Sequence, residues 1–261
     1  MIRFGPAGFG TVKEAASNIE QLHKKGLRAC EIPFTYGVYI KEKEHRKEIE
    51  EIRETARKLD FKISIHAPYW INLNSTEKMK IEESKKRILD SCKIGELLGA
   101  EIVVFHAGFY GKMDRETTYL NIKKAVLEML DEIKRNKWKI KIAPETMGKI
   151  NVFGSAEEIL RLVSETGCAF CLDFAHMWAR SIGKESYAEI YEKFKHFPDL
   201  HCHFSGIIFG DKGEKSHKPT PESEIRKLLE VIPESRKITI INEAPFPIVD
   251  AEKMLKIWNE L

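Results

Sequence analysis

The feature that most constrains the fold of this chain is a regular alternation of short apolar segments with longer segments of helical periodicity. Apolar runs of this kind predict buried strands, and the longer amphipathic stretches predict helices. Strands are predicted near residues 2–5, 28–34, 62–66, 101–106, 139–144, 169–174, 200–205 and 238–243. Helices are predicted near residues 12–25, 43–59, 76–98, 115–136, 155–167, 184–195, 221–232 and 251–260.

Eight such repeats in 261 residues give about 33 residues per repeat, which is the size of a βαβ unit. The alternation therefore predicts an α/β protein with a closed (β/α)8 TIM barrel. A doubly wound open sheet is the alternative, and it usually carries a G-x-G-x-x-G turn after its first strand. The segment Gly5-Pro6-Ala7-Gly8-Phe9-Gly10 lacks that spacing. No linker divides the chain, so we expect residues 1–261 to form a single barrel domain.

The composition excludes several classes of protein. A hydrophobic fraction of 43% is too high for a disordered chain. No segment approaches the roughly 18 consecutive apolar residues of a membrane span, and no apolar signal segment is visible, so we expect a cytoplasmic protein. The net charge of +3 does not by itself indicate nucleic-acid binding, so any basic surface must be local.

The cysteines are five in number and scattered along the chain, which argues against a disulfide framework. Cys168 and Cys171 have the CxxC spacing, but they lead into a predicted strand, on which residues i and i+3 face opposite sides. We expect them to be buried core residues rather than a redox or zinc site.

Ionisable residues are concentrated where the predicted strands end, and in a TIM barrel these ends form the active-site rim. The strand-end residues are His66, His106, Glu145, Asp173, His176, His203 and Glu243, and the loop after the seventh strand adds Glu214 and His217. Buried carboxylates need a cationic partner, and these strand ends contain no lysine or arginine. A metal cluster is therefore expected at the rim.

The donor set favours zinc, with iron or manganese as alternatives. Four histidines and three carboxylates exceed what one tetrahedral ion can use, so two or three ions are expected. Closely spaced ions suit phosphodiester hydrolysis, because one activates water while another stabilises the leaving oxygen.

Six strings, in order, give the chain a recognisable resemblance to a known family. They are His66-Ala67-Pro68-Tyr69-Trp70-Ile71-Asn72-Leu73, Phe105-His106-Ala107-Gly108, Pro144-Glu145-Thr146, Leu172-Asp173-Phe174-Ala175-His176, His203-Phe204-Ser205 and Asn242-Glu243-Ala244-Pro245. With them the chain resembles endonuclease IV, an apurinic/apyrimidinic endonuclease family (family 2) of the xylose-isomerase-like barrel superfamily. The resemblance implies hydrolysis of the DNA phosphodiester 5′ to an abasic site, leaving a 3′-hydroxyl, by a monomer.

The resemblance also implies roles for individual residues. It assigns the ligands of three zinc ions: His66, His106 and Glu145 for the first, Glu145, Asp173, His203 and Glu243 for the second, and His176 and His217 for the third. Glu145 and Glu243 are the implied catalytic residues, Glu145 by orienting the attacking hydroxide and Glu243 as a base. In the family an aspartate completes the third site, at the position that is Lys215 here. Either Glu214 replaces it, or the third site is weak or empty.

The implied contacts with abasic DNA lie in the loops after the second and third strands. The loop after the second strand lacks the arginine that the family inserts into the duplex. The candidates in this chain are Tyr36, Tyr39, Lys41, Tyr69 and Asn72. Tyr69 matches a stacking tyrosine of the family, and Lys41 is the candidate phosphate contact. Tyr36 and Tyr39 either stack on unpaired bases or pack against the rim.

Two other functions remain open. A sugar isomerase or epimerase on the same barrel would use one metal at Glu145, Asp173, His203 and Glu243. Such enzymes place a second catalytic glutamate six residues after the first, where this chain has Asn151, and so the paired carboxylates for proton transfer are missing. The second alternative is a non-catalytic metal or ligand binder. His66 and His106 favour the endonuclease.

Overall fold

Strands and helices alternate as the sequence predicts in the computed structural model, which describes residues 1–261. The strands are β1 (Ile2–Pro6), β2 (Ala29–Pro33), β3 (Lys62–His66), β4 (Ile102–Phe105), β5 (Lys141–Pro144), β6 (Leu172–Asp173), β7 (Asp199–Phe204), β8 (Gly206–Gly210), β9 (Gly213–Lys218) and β10 (Lys237–Asn242). The helices are α1 (Ala15–Lys24), α2 (Arg46–Lys58), α3 (Lys78–Leu98), α4 (Arg115–Arg135), α5 (Ala156–Thr166), α6 (Phe174–Arg180), α7 (Tyr187–Phe194), α8 (Glu222–Leu229) and α9 (Pro247–Trp258).

Eight of the strands form a parallel barrel. They pair in two arcs, β1-β10-β7-β6 and β2-β3-β4-β5. Parallel bridges from Ala7 to Glu31 and from Glu145 to Cys171 join the two arcs on both sides. The predicted TIM barrel is thereby confirmed. Because all eight strands run in one direction, their C-terminal ends meet at a single rim.

The predicted strand near residues 169–174 is wrong in length, since β6 contains only Leu172 and Asp173. The chain turns into α6 immediately afterwards. The carboxylate of Asp173 accepts a hydrogen bond of 2.7 Å from the backbone N–H of His176 and so caps this helix. The strand is short because its last residue is also the start of the helix.

An antiparallel hairpin, β8–β9, is inserted between β7 and α8, where the sequence pattern predicts no strands. The hairpin lies against the loop that follows β5. Glu214 N donates to Gly148 O (3.1 Å) and Ile150 N donates to Lys212 O (3.3 Å). This insertion brings β9 to the rim of the barrel.

The main hydrophobic core combines helix residues such as Ile19 and Ile52 with alternate strand residues such as Ile32 and Ile65. A second, much smaller apolar cluster consists of Ile102, Val104, Ala143 and Cys171. All five cysteines are buried and free, as predicted. None of the nine helices combines the length and the hydrophobicity of a membrane span.

Candidate metal centre

The side chains predicted to form the site come together at the C-terminal rim, around a cavity of about 410 Å³. Of the predicted set, the residues that line this cavity are His66, His106, His176, Glu214, His217 and Glu243. Glu145, Asp173 and His203 are fully buried next to them. These residues come from the ends of six consecutive barrel strands and from the hairpin.

Glu145, which follows β5, lies at the centre of the arrangement. Its Oε2 is 3.3 Å from His66 Nε2 and 3.0 Å from His106 Nε2. Its Oε1 is 3.1 Å from His176 Nδ1 and 3.3 Å from His203 Nδ1. Oε2 therefore faces the His66–His106 pair and Oε1 faces the ring of His203, so the two oxygens of one carboxylate face different ligand imidazoles, as a bridging metal ligand requires.

Around Glu145 the donor atoms fall into three neighbouring groups, and in each group the atoms lie within 4.8 Å of one another. The groups are His66, His106 and Glu145; Glu145, Asp173, His203 and Glu243; and His176, Glu214 and His217. The geometry thus brings together every residue that the sequence analysis named as a metal ligand, including Glu214.

Three of the histidines are held by backbone carbonyls through the ring nitrogen that faces away from the rest of their group. The accepting carbonyls are those of Ala67 for His66 (2.9 Å), Thr146 for His176 (3.0 Å) and Glu243 for His217 (3.2 Å). A carbonyl can only accept, so it fixes the proton on that nitrogen and leaves Nε2 as the lone-pair donor. Metal-binding histidines are commonly held in this way.

Glu214 reaches the third group because β9 contains a β-bulge. The register of the hairpin shifts between Ile208 and Phe209, and Lys215 is the extra residue. Without a bulge, Glu214 and His217 would point to opposite faces of the strand, since they are three positions apart. The extra residue restores them to one face. Lys215, at the position where the resemblance expects an aspartate, is exposed.

The loop after β5 approaches the third group so closely that it needs a glycine. A Cβ added at Gly148 would lie 2.7 Å from the Cβ of Glu214 and 3.1 Å from Cδ2 of His176. Both distances are shorter than ordinary van der Waals contacts. Gly148 therefore allows the hairpin to bring Glu214 against His176, where Oε2 and Nε2 are 3.5 Å apart.

Burial and charge together shift the pKa values in the cluster. Burial opposes the charge on Glu145, but the imidazoles around it, His203 first, hold its pKa well below the ordinary value. Burial raises the pKa of Asp173 to about 6. Burial alone would lower the pKa of His66, but Glu145 raises it to about 9. The pKa values of His176 and His203 also lie well above the ordinary value, because nearby groups outweigh burial, Asp173 first for His176 and Cys171 ahead of the carboxylates for His203.

Two observations test whether cations fit this site. Neither lysine nor arginine forms an ion pair with Glu145, Asp173, Glu214 or Glu243, whose partners are all histidines. In addition, Asp173 Oδ2 is buried and has no hydrogen-bond partner, although it lies 3.3 Å from His176 Nδ1. Such an atom is costly to bury. The residues present therefore fit divalent cations bound by nitrogen and oxygen donors.

Of the candidate DNA contacts, only Tyr69 lines the cavity. Its ring stacks on that of His106, with centroids 5.9 Å apart and planes at 26°. Tyr36 is highly exposed nearby but lies outside the cavity lining. Tyr39 and Lys41 contact their own loop, where Tyr39 packs on Phe34 (5.2 Å) and Lys41 donates to Val38 O (2.5 Å). Asn72 accepts from Asn74 N in its own loop (3.1 Å) and from Phe109 N in the loop after β4 (3.4 Å).

Two charged residues near the site were missed by the sequence analysis. Lys149 is exposed and is the only lysine or arginine that lines the cavity. It follows Glu145 by four residues, so the same strand-end rule could have included it. Glu31 also borders the cavity but is almost fully buried. Glu31 lies within a predicted strand rather than at its end, so the strand-end rule did not include it. The feature that could have identified it is a single carboxylate among apolar residues of a buried strand.

Comparisons with protein families and curated proteins give consistent results. Residues 19–228 match the family described as xylose isomerase-like TIM barrel. An uncharacterized protein of Methanocaldococcus jannaschii is 35% identical, and the alignment covers 100% of this chain and 98% of that protein. An apurinic-apyrimidinic endonuclease of Caenorhabditis elegans is 29% identical over 55% of this chain and 37% of that protein. The probable endonuclease 4 of Mycobacterium leprae is 27% identical over 46% of this chain and 48% of that protein. The matches to these two endonucleases thus span less than half of their length.

Solved structures show the same fold at low identity. The structure of SacUVDE has a TM-score of 0.76 at 16% identity and covers 99% of this chain and 98% of that one. Endonuclease IV from Thermus thermophilus has a TM-score of 0.73 at 19% identity with the same coverage. A D-tagatose 3-epimerase-like protein has a TM-score of 0.67 at 22% identity and covers 99% and 97% of the two chains.

Proposed function

The chain belongs to the xylose isomerase-like TIM-barrel family, and on that premise we propose that it is a metal-dependent apurinic/apyrimidinic endonuclease. It hydrolyses the DNA phosphodiester 5′ to an abasic site, as a monomer made of one barrel domain. Two or three ions bind at the rim, zinc in the first place, with manganese or iron as alternatives. Their ligands are His66, His106, Glu145, Asp173, His176, His203, Glu214, His217 and Glu243.

One observation carries this proposal: Glu145 joins His66 and His106 to the four-residue group that contains Asp173 and His203. A single ion cannot use donors that lie on opposite sides of one carboxylate. Two or more ions that share a carboxylate are typical of sites for in-line displacement at phosphorus. The extra histidine pair therefore supports hydrolysis of a phosphodiester over chemistry at one metal.

The bound ions supply the positive charge that activates water and stabilises the leaving oxygen. The chain's own residues do the rest. Glu243 borders the cavity with its side chain 17% exposed, so its carboxylate accepts the proton of the attacking water. Lys149 contacts a phosphate from the cavity wall. Tyr69 stacks on the DNA beside the abasic site, where the missing base leaves room for its ring.

A sugar isomerase or epimerase is the second candidate, because Glu145, Asp173, His203 and Glu243 by themselves form a single-metal group. The similarity to an epimerase-like structure agrees with it. Such an enzyme needs a second carboxylate across the substrate for proton transfer. Asn151, at the position where that carboxylate is expected, is exposed and does not line the cavity. The endonuclease therefore accounts for more of the site.

The test uses protein purified without added metal and two duplexes, one intact and one with a single abasic site. We expect two or three metal ions per chain and chelator-sensitive nicking of the abasic duplex only. Glu145→Gln should lower the nicking rate by more than about 100-fold. Loss of a residue that only hydrogen-bonds to a ligand costs about 10–100-fold, and Glu145 is itself a ligand shared by two ions.

Glu158→Gln is the matched control, since it also removes a largely buried carboxylate, but one that caps α5 and does not line the cavity. It should nick at nearly the wild-type rate. An intact abasic duplex after incubation with metal-loaded wild-type protein would overturn the proposal. A single ion per chain, together with turnover of a keto sugar, would establish the epimerase instead.

A further inference from the structure

The barrel interior contains a carboxylate that the proposed reaction does not use. Glu31 on β2 is only 1% exposed. The interior of such a barrel is usually filled by branched aliphatic side chains. In this barrel, by contrast, the apolar cluster that is separate from the main core is small and lies around Val104 and Ala143. An ionised carboxylate in such a place is costly unless charged partners surround it.

The partners of Glu31 are two histidines of β7. Oε2 of Glu31 is hydrogen-bonded to Nε2 of His201 at 3.2 Å. Oε1 lies 3.0 Å from Nε2 of His203, a charge contact rather than an aligned hydrogen bond, and neither of these two buried atoms has a hydrogen-bond partner. His201 and His203 are two residues apart, so the alternation of the strand points both into the barrel.

The ring of His203 therefore lies between Glu31 and the rim carboxylates. Its other nitrogen, Nδ1, is 3.3 Å from Glu145 Oε1 and 3.4 Å from Glu243 Oε2. His66, His176 and His217 are each held by a backbone carbonyl on the side away from their group. Glu31 occupies the corresponding position for His203, and it places a carboxylate there instead of a backbone carbonyl.

We propose that Glu31 is a positioning residue that holds the proton of His203 on Nε2, so that the Nδ1 lone pair faces the shared metal group. His201 occupies the second oxygen of Glu31 and keeps the carboxylate from rotating away. The inference rests on the proposed function, because His203 is taken as a metal ligand. A partner of this kind typically changes metal affinity about 10–100-fold when it is removed.

The first experiment measures metal affinity by competition with a chelator. Glu31→Gln keeps the shape of the side chain but removes its charge, and we expect zinc to bind about 10–100-fold more weakly. Asp250→Asn is the matched control. It also neutralises a carboxylate that is 2% exposed, but one whose partners are Thr220 and Lys253. This control should bind zinc as the wild type does.

A double-mutant cycle separates positioning from a general loss of structure. If Glu31 acts only through His203, then Glu31→Gln should cause no further loss of affinity in a His203→Gln background. Thermal unfolding of each metal-free variant provides the check that it folds. Additive losses in the double variant would overturn the inference, because Glu31 would then act on the whole barrel.

A spectroscopic readout tests the contact without any metal or DNA. Nitrogen-15 NMR of the metal-free protein, recorded at a pH high enough that the ring carries a single proton, should show His203 protonated at Nε2, and Glu31→Gln should shift that signal while leaving His66 unchanged. An unchanged signal would overturn the inference. If wild-type protein binds zinc and nicks abasic DNA but Glu31→Gln binds zinc equally well, only the inference fails and the proposed function stands.

The buried group Cys171, His201 and His203 offers a different use of the same histidines, as a separate metal site. Cobalt substitution distinguishes the two. The positioning role predicts no thiolate-to-cobalt charge-transfer band. Such a band, lost in Cys171→Ser, would mean that His203 serves a metal on its Nε2 side and would overturn the inference.

Discussion

Glu214 Oε2 lies 3.5 Å from His176 Nε2, at a place where the regular alternation of β9 would have put the side chain of Lys215. The bulge at Lys215 shifts the strand by one residue, so that Glu214 and His217 share a face. The third donor group is therefore complete in geometry, although its carboxylate comes from a different position than the resemblance to endonuclease IV implies.

Glu214→Ala should remove one of the metal ions. We expect the number of metal ions per chain to fall by one. The metal affinity of the third group should drop by at least about 10–100-fold, which is the loss seen when a residue that only hydrogen-bonds to a ligand is removed. Lys215→Ala is the matched control, because it changes the neighbouring residue of the same bulge. Elemental analysis after dialysis measures both. Equal counts in Glu214→Ala and the wild type would show that the third group holds no metal.

Lys149→Ala should weaken DNA binding, because Lys149 is the only lysine or arginine in the cavity wall. The loss of one phosphate contact should reduce the slope of log affinity against log salt by about 1. Fluorescence anisotropy with an abasic duplex, measured over a series of salt concentrations, gives both quantities. Lys41→Ala, whose ammonium donates to Val38 O in its own loop, should change the slope less. A reversed order would place the phosphate contact in the loop after β2.

The metal-free protein should lose stability as the pH rises from 6.5 to about 9. The pKa of His66 is raised from 6.5 to about 9 when folded, because Glu145 outweighs burial. A raised pKa means that the folded state holds the proton more tightly. Its contribution is therefore complete below pH 6.5 and disappears as the pH passes through about 9. Thermal unfolding of chelator-treated protein at several pH values measures this loss of stability.

Metal affinity should have the opposite slope over the same pH range. A metal must displace the proton from His66, so zinc should bind more tightly as the pH rises towards about 9. His66→Gln removes this proton and should reduce both slopes between pH 6.5 and 9, leaving the part that His176 and His203 contribute. Parallel slopes in wild type and His66→Gln would contradict the assignment of the raised pKa to this histidine.

Ser155→Ala should destabilise the protein by about 1 kcal/mol, the usual cost of losing a helix cap. Ser155 and Glu158 form a capping box at the start of α5, in which each side chain bonds to the other residue's backbone N–H. Ser155→Gly should cost only a few tenths of this, because glycine is also favoured at the cap. Urea unfolding compares the three proteins. Equal stability of the alanine variant and the wild type would show that the cap contributes nothing.

Much of the helix and strand pattern could be read from the sequence because it depends on local periodicity. Gly99 and Gly167 end α3 and α5 in the left-handed conformation, as their positions predict. The predicted start of the third helix, near residue 76, is two residues early, since α3 begins at Lys78 with Glu77 at its cap. The hairpin β8–β9 was missed because β8 is only three apolar residues between glycines, and β9 mixes charged and polar residues without a two-residue alternation.

The sequence by itself determined that His66, His106, Glu145, Asp173 and Glu243 would share one rim. Parallel strands have their C-terminal ends on one side, so strand position alone was sufficient. Only the tertiary structure decided that Glu214 joins this group through a bulge, and that Glu31 crosses the barrel to reach His203. Both contacts join residues distant in sequence or shift the register of a strand. They depend on closure of the barrel and on hairpin packing, which no local pattern encodes.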